Sequence, residues 1–256
     1  MLIRLLSDLH AEGGIDKELY KSQGEDVLVI AGDLHVGADN VWDQLKTFAV
    51  HQPNIVFVYG NHEFYKQYYY NTITKIEAWA KNTSIKILNP GTVYYNNGSL
   101  SNVEGDIAFI GGTLWTNFRN NELSKLAAQQ VINDFRLIEV GDGWFTPSNA
   151  VDLFQQHAGY IKHQYEAIKS KKVIVTHFLP AVECIDSKYT SNQYTNTLND
   201  YFANDLGDWI SVLEDTIWLH GHTHDNVDIM LGDTRVVANP YGYGKNMMYK
   251  ECLIEV

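Results

Sequence analysis

Short apolar runs rich in β-branched residues recur along the chain and constrain its fold more than any other feature. They lie at residues 2–6, 27–31, 54–59, 85–88, 107–110, 172–176, 216–219 and 234–238. Several are nearly uninterrupted, which indicates strands buried on both faces of a sheet. Helix-like stretches lie between them, at 39–50, at roughly 62–82 and from Pro147 to about Lys171. Strands that alternate with helices predict an α/β domain with largely parallel sheets.

The C-terminal third differs from this pattern. The stretch NVDIMLGDTRVVANP contains two short strands around Gly232 and Asp233, which predicts a β-hairpin. The sequence contains no internal repeat, low-complexity tract or linker rich in Gly, Pro or Ser. We therefore predict a single domain over residues 1–256.

Composition excludes several classes of protein. With 45% hydrophobic and 20% charged residues, the chain resembles a soluble globular protein. No apolar run approaches the ~20 residues that span a bilayer, and the N-terminus lacks a signal-peptide pattern. Cys184 and Cys252 are too few for a disulfide framework. We expect a protein of the reducing cytoplasm that does not enter a membrane.

The charge of the chain bears on its partners. A formal net charge of −12 disfavours a protein that wraps duplex nucleic acid, because such a protein needs a basic face. The negative net charge is still compatible with a phosphorylated substrate. Carboxylates that hold divalent metals count as negative in the sequence, but the positive charge of the bound ions exceeds theirs in the folded site.

Side chains that can bind a metal or transfer a proton follow five of the predicted strands. In chain order they are Asp8 and His10 after 2–6, Asp33 after 27–31, Asn61 and His62 after 54–59, His177 after 172–176, and His222 and His224 after 216–219. In open α/β sheets the ligand crevice lies beyond the carboxyl ends of the strands, so we expect these loops to meet. Helix caps or turns would explain each aspartate or asparagine singly, but not the histidines at the same strand ends.

The residue types favour divalent ions. Imidazole and carboxylate ligands without thiolate favour manganese, iron or zinc. The spacing Asp8-x-His10 places two side chains on one side of an extended segment, where both can bind one ion. His222-x-His224 can do the same, or its glycine-led loop can aim the two rings at different ions. A carboxylate such as Asp33 can bridge two metals, and Asn61 can offer a neutral amide oxygen.

The ordered set D-x-H, G-D, G-N-H-[DE], H and G-H-x-H resembles the motifs of the calcineurin-like metallophosphoesterases. The resemblance extends from Asp8 to His224, with every motif in order and after a predicted strand. It implies a four-layer α/β/β/α sandwich of two mixed sheets flanked by helices.

The resemblance also implies the roles of individual residues. The first metal would be held by Asp8, His10, Asp33 and His224. The second would be held by Asp33, Asn61, His177 and His222. The two ions, for which we expect manganese, with iron, zinc, nickel or cobalt as alternatives, would share a hydroxide that attacks phosphorus. His62 would stabilise the transition state or protonate the leaving oxygen, and Asn61 and His62 would contact the substrate.

Positions at which the sequence departs from the family's motifs limit the classes of substrate that we expect. The protein serine/threonine phosphatase branch has an acid and an arginine where GDLHVGA has Val36 and Gly37, which disfavours a protein phosphatase. The segments IGGTLWTNF, THFLP and TRVVANPYGY resemble a bacterial and phage branch of small stand-alone phosphoesterases. This chain has Phe178 and Tyr241 where that branch often has histidine and arginine.

Three further features leave alternatives open. Arg119 is either a bidentate phosphate clamp or a solvated loop arginine. The tyrosines at 65, 68 and 69 match helical spacing, which favours core packing over stacking on nucleobases. The polar segment 181–204 either walls the substrate pocket or is a disordered connector.

These observations predict a dinuclear metal-dependent hydrolase of a phosphomonoester or phosphodiester, with a small or nucleotide-like substrate. Two alternatives are a metal-dependent nuclease that acts on single-stranded nucleic acid and an inactive binding module of the same fold. An inactive module is expected to lack several ligands, and the sequence lacks none. The sequence leaves the oligomeric state open.

Overall fold

Two mixed β-sheets form the centre of the computed structural model, which describes residues 1–190, 193–243 and 251–256, with 193–196 described as backbone alone. The strands are β1 (Leu2–Leu6), β2 (Val27–Ala31), β3 (Ile55–Val58), β4 (Gln67–Tyr68), β5 (Ile85–Leu88), β6 (Gly91–Asn96), β7 (Ser99–Ser101), β8 (Ile107–Gly112), β9 (Ile138–Val140), β10 (Gly143–Trp144), β11 (Lys171–Thr176), β12 (Thr216–His220), β13 (Val227–Leu231), β14 (Thr234–Ala238) and β15 (Leu253–Glu255). The helices are α1 (Ala38–Ala49), α2 (Tyr69–Ala80), α3 (Glu122–Val131), α4 (Asp134–Leu137), α5 (Pro147–Ala167), α6 (Gln193–Phe202) and α7 (Gly207–Ile210).

The order of the strands places the loops that carry the predicted ligand residues at one edge of the sheets. The first sheet has the order β15-β1-β2-β3-β5, in which only β15 is antiparallel to its neighbour. The second has the order β13-β14-β12-β11-β8-β6-β7, with a parallel centre from β14 to β8. A small third sheet joins β10, β9 and β4. The parallel centres bring the carboxyl ends of β1, β2, β3, β11 and β12 to the same side of the molecule.

The two sheets pack face to face, and helices cover their outer faces. In β2, Val27 and Val29 belong to an apolar cluster shared with strands of the second sheet. Leu28 and Ile30 belong to the cluster that includes helical side chains such as Phe48. Burial on both faces explains why this strand has an uninterrupted apolar sequence. The predicted α/β/β/α sandwich is confirmed.

Most predicted elements occur within a few residues of their expected bounds, but the predicted helix at 62–82 is wrong in its first part. His62–Phe64 forms a single 3-10 turn, β4 pairs with β9, and α2 begins only at Tyr69. Lys66 has a φ of 58°, which ends any helix there, and its N–H donates to the Leu137 carbonyl at 2.6 Å. Tyr65 is therefore buried outside the helix. The predicted hairpin is confirmed: β13 pairs with β14 around Gly232.

No helix in the described part of the chain is both long enough and apolar enough to cross a bilayer.

A buried histidine on α5 predicts a pH dependence of stability. His157 accepts a hydrogen bond from the Leu114 N–H at 3.2 Å, and burial lowers its pKa to about 4. The unfolded chain, with a pKa of about 6.5, binds a proton more readily, so stability falls as the pH decreases from about 6.5 towards 4. Because of this histidine alone, the free energy of unfolding should be about 2 kcal/mol lower at about pH 5 than at about pH 7.

Urea denaturation of a His157→Gln variant at these two pH values checks this expectation. Glutamine keeps an acceptor for Leu114 but does not titrate, so the difference in unfolding free energy between the two pH values should shrink by about 2 kcal/mol. His163→Gln, an exposed position on the same helix, is the control and should leave it unchanged. Equal pH dependence in wild type and His157→Gln would contradict the prediction.

Candidate metal centre

The loops that follow β1, β2, β3, β11 and β12 meet between the two sheets. Backbone bonds join the loops of each sheet: the Asp8 N–H donates to the Gly32 carbonyl at 3.0 Å, and the Gly221 N–H donates to the His177 carbonyl at 3.1 Å. The His177 ring crosses between the sheets, with Nδ1 2.8 Å from the Ala31 carbonyl. The side chains at these strand ends therefore share one region.

A first cluster contains Asp8, His10, Asp33 and His224, whose potential ligand atoms all lie within 4.8 Å of one another. The two imidazole nitrogens His10 Nε2 and His224 Nε2 are 3.0 Å apart. His10 Nε2 lies 3.8 Å from Asp33 Oδ2, and His224 Nε2 lies 3.4 Å from Asp8 Oδ1. Two carboxylates and two imidazoles thus point at one position.

A second cluster contains Asp33, His177 and His222. His177 Nε2 lies 3.4 Å from Asp33 Oδ1 and 3.1 Å from His222 Nδ1. The amide oxygen of Asn61 joins this group at 3.1 Å from His177 Nε2. Asp33 therefore belongs to both clusters, and a different one of its oxygens approaches the histidines of each.

The donor atoms of both clusters fit divalent cations. Burial by itself would raise the pKa of the Asp8 and Asp33 carboxyls, but neighbouring histidines outweigh it and hold both values well below the ordinary range. His177 Nδ1 faces a backbone carbonyl, which can only accept, so Nδ1 carries a hydrogen and Nε2 faces the cluster, where the neutral ring would offer its lone pair to a cation. Nitrogen and oxygen donors without sulfur are the set that manganese, iron and zinc accept.

The backbone at these strand ends adopts an uncommon conformation. Five residues of the clusters have left-handed φ angles between 41° and 71°: Asp8, His10, Asp33, His222 and His224. Residues other than glycine rarely adopt this region, and such conformations persist where surrounding contacts hold them. Here the His222 N–H donates to the Asp8 carboxylate at 3.0 Å, and the His62 N–H donates to Asp33 Oδ1 at 2.9 Å. These bonds fix the turns that direct the side chains inwards.

Gly60 leaves room for the shared carboxylate. A Cβ at this position would lie 2.1 Å from Asp33 Oδ1 and 2.5 Å from the Asp33 backbone nitrogen. We expect Gly60→Ala to displace Asp33 and to weaken manganese binding at least about tenfold, since misplaced support around metal ligands costs 10–100-fold in affinity. Equilibrium dialysis measures this effect.

Gly159→Ala is the control for this substitution. Gly159 lies on α5, and no atom lies within 4 Å of a Cβ built there. Alanine in a helix is favoured over glycine by about 1 kcal/mol, so this variant should bind manganese normally and be slightly more stable. Normal manganese affinity in Gly60→Ala would contradict the role assigned to this close approach.

His62 lies beside the clusters at the cavity. Its Nε2 is 3.9 Å from Asp33 Oδ2 and 3.2 Å from the Tyr243 hydroxyl, and its Nδ1 is 3.8 Å from Glu12 Oε1. Burial would lower the pKa of His62, but the Asp33 and Glu12 carboxylates outweigh it and raise the value to about 9. The ring therefore carries a proton at neutral pH and can donate it.

Sequence reasoning missed Glu12. Its carboxylate lies 3.5 Å from His10 Nδ1, 3.8 Å from His62 Nδ1 and 3.9 Å from His35 Nδ1. Val36 stands where the protein phosphatase branch has an acid, and the carboxylate that faces His62 in this chain comes from Glu12 in another loop. The spacing Asp8-x-His10-x-Glu12, which continues the first motif, is the signal that identifies it.

Glu63 supports the loops and faces the backbone. Its buried carboxylate accepts hydrogen bonds from the N–H groups of Leu34 and Gly60, both at 2.6 Å, and from that of Asp33 at 3.2 Å. Burial raises its pKa to about 7. Glu63 thus joins the ends of β2 and β3, which carry Asp33 and Asn61.

A cavity of about 400 Å³ opens onto the clusters. One end is lined by Asp33, Asn61, His62, His222 and His224. Another wall comes from the segment 181–204, through Ile185, Tyr189, Asn199, Tyr201 and Phe202. The described part of this segment therefore walls the pocket, as one of the two sequence-based alternatives expected.

Arg119 lies outside this cavity. Its guanidinium is partly exposed and bonds to Asp200 on α6, with Nη1 2.9 Å from Oδ1. The residue also has a left-handed φ of 49°, in the middle of the 3-10 turn Phe118–Asn120. Asn61 and His62, the other two predicted substrate contacts, both line the cavity. The position of Arg119 outside it does not support a phosphate clamp at this residue.

Comparisons with known proteins agree with this geometry. The family model for calcineurin-like phosphoesterases matches residues 1–226. An uncharacterized protein of Acanthamoeba polyphaga mimivirus is 29% identical to this chain over an alignment 268 residues long. The alignment covers 94% of this chain and 91% of that protein.

Two crystal structures share the fold. A phosphopantetheinyl hydrolase from Mycobacterium tuberculosis has a TM-score of 0.71 at 15% identity, covering 94% of this chain and 89% of that one. A dimetal phosphatase from Danio rerio has a TM-score of 0.52 at 12% identity, covering 95% and 88%. With the convergent ligand clusters and the match over residues 1–226, the chain belongs to the calcineurin-like phosphoesterase family and is a metal-dependent phosphoester hydrolase.

Proposed function

We propose that the protein hydrolyses a small phosphoester at a dinuclear metal centre. One ion would be held by Asp8, His10, Asp33 and His224. The other would be held by Asp33, Asn61, His177 and His222. The observation that carries this proposal is the position of Asp33, whose two oxygens approach different clusters. Manganese is our first candidate metal, because both ligand sets combine oxygen donors with imidazole and lack thiolate.

When bound, a pair of divalent ions lowers the pKa of water and neutralises charge on the phosphoryl oxygens. The chain supplies the rest of the chemistry. His62 lies at the cavity but outside both four-ligand sets, so its protonated ring is free to donate to the leaving oxygen. Glu12 and Asp33 stabilise that protonated form from opposite sides of the ring.

The cavity wall supports a substrate with an uncharged organic group. Ile185, Tyr189 and Phe202 offer apolar and aromatic surface next to the polar end. Among the residues that the structure describes, no lysine or arginine lines the cavity, so no ammonium or guanidinium group there would pair with a second phosphate. We therefore favour a mono- or diester with a single phosphoryl group over a nucleoside di- or triphosphate. The name of the Mycobacterium tuberculosis neighbour suggests a phosphopantetheinyl ester as one probe.

Hydrolysis assays with manganese-restored protein test this proposal. The substrates are a phosphomonoester and a phosphodiester of the same phenol, a phosphopantetheine ester, a nucleoside triphosphate and single-stranded DNA. We expect turnover of at least one ester with a single phosphoryl group, and little or none of the triphosphate. Preferred cleavage of the DNA would overturn the small-substrate proposal in favour of a nuclease. Metal uptake without hydrolysis of any substrate would overturn the assigned reaction class.

A further inference from the structure

Asp134, the first residue of α4, has a fully buried carboxylate beside the second cluster. It accepts three hydrogen bonds: from Asn61 Nδ2 at 2.9 Å, from the Tyr65 hydroxyl at 2.8 Å and from the Tyr201 hydroxyl at 2.5 Å. Within the described residues it forms no ion pair with lysine or arginine. A buried charge held only by neutral donors is costly, so this carboxylate does not serve packing alone.

The contact with Asn61 indicates that role. A carboxamide has an oxygen on one side and an NH₂ group on the other, and the two ends are nearly equal in size. Here Nδ2 donates to Asp134 and to the Tyr65 hydroxyl at 3.0 Å, so both of its hydrogens are used. The amide oxygen consequently faces His177 Nε2 at 3.1 Å. A flipped amide would present an NH₂ group, which has no lone pair for a cation.

We propose that Asp134 is a positioning residue that fixes the amide of Asn61 with its oxygen towards the second cluster. Tyr65 and Tyr201 hold the Asp134 carboxylate in place from two other segments of the chain. The inference rests on the proposed function, because it needs Asn61 to act as a ligand. It adds to that function a residue 73 positions away in sequence that controls which atom Asn61 presents.

Aspartate at position 61 offers a way to test orientation separately from folding. A carboxylate presents an oxygen in either orientation, so a chain with Asn61→Asp does not need an orienting partner. In the wild-type background, Asp134→Asn should therefore lower the affinity for one of the two manganese ions 10–100-fold. This is the usual effect of removing a partner that orients a metal ligand. In the Asn61→Asp background the same change should cause no loss, and it also removes a repulsive pair of carboxylates.

The measurement is a manganese titration of the four proteins by calorimetry, with a thermal melt of each. Asp200→Asn is the matched control, because the Asp200 carboxylate on α6 bonds to Arg119 and Asn121 and contacts neither cluster. We expect it to bind both ions with wild-type affinity.

Two results would overturn the inference: equal losses from Asp134→Asn in both backgrounds, which indicate general damage to the loop, or no loss in the wild-type background. Both presuppose two ions in the wild-type chain. If the wild-type chain binds fewer than two manganese ions, the proposed dinuclear centre fails instead, and with it the premise of this inference. The two failures are therefore distinguishable.

Discussion

Replacing Asp33 by asparagine should lower turnover by on the order of 1,000-fold or more and leave at most one tightly bound manganese ion per chain. Asp33 is the one residue shared by the two clusters, and each of its oxygens approaches a different set of histidines. The charge stabilisation that metal ions provide is worth several kcal/mol, and about 4 kcal/mol corresponds to 1,000-fold in rate. Asparagine keeps an oxygen for the His62 N–H, so the fold should survive.

Initial rates and bound manganese, measured on the same preparation, check this expectation. Asp43→Asn, the same substitution at an exposed position of α1, should leave both quantities unchanged. An Asp33→Asn protein that keeps two ions and wild-type turnover would show that the carboxylate does not link the clusters.

Replacing His62 by alanine should separate catalysis from metal binding. His62 lies outside the two four-ligand sets, so the variant should keep two manganese ions. Loss of a general acid typically costs 10²–10⁴-fold in rate. The loss should be large for an alkyl ester, whose leaving oxygen needs a proton, and small for a nitrophenyl ester, whose leaving group departs without one.

The comparison of the two esters is the informative measurement. His35→Ala is a suitable control, because His35 also faces the Glu12 carboxylate but does not line the cavity. Equal losses on both esters would assign His62 to transition-state binding instead of proton donation. Loss of one manganese ion would make it a ligand.

The sequence alone predicted the five strands that precede the ligand residues, and the residues that follow them, because both signals are local. An uninterrupted apolar run indicates a strand buried on two faces, and a polar motif directly after it lies at the sheet edge whatever the rest of the fold. Parallel topology then brings Asp8, Asp33 and His177 together from positions far apart in the chain. The meeting of these side chains therefore followed from patterns a few residues long, whereas their division into two ligand sets came from the resemblance to the family.

The remaining features depend on contacts between distant segments. Asp134 lies in NDFRLI, which has no motif that connects it with Asn61. The two-residue strand β4 exists because it pairs with β9, some seventy residues away, and its formation ends the predicted helix near Lys66. Arg119 bonds to Asp200, a partner that no local pattern indicates. Residues of this kind become apparent only in the folded chain.

One manganese titration shows directly whether Asp33 joins two metal sites. Metal-stripped protein is titrated with manganese while bound metal and hydrolysis of a phosphoester substrate are followed on the same sample. We expect two ions per chain, with turnover that appears as the second ion binds. Full turnover with one ion or none, or the absence of manganese binding, would contradict a dinuclear centre built around Asp33.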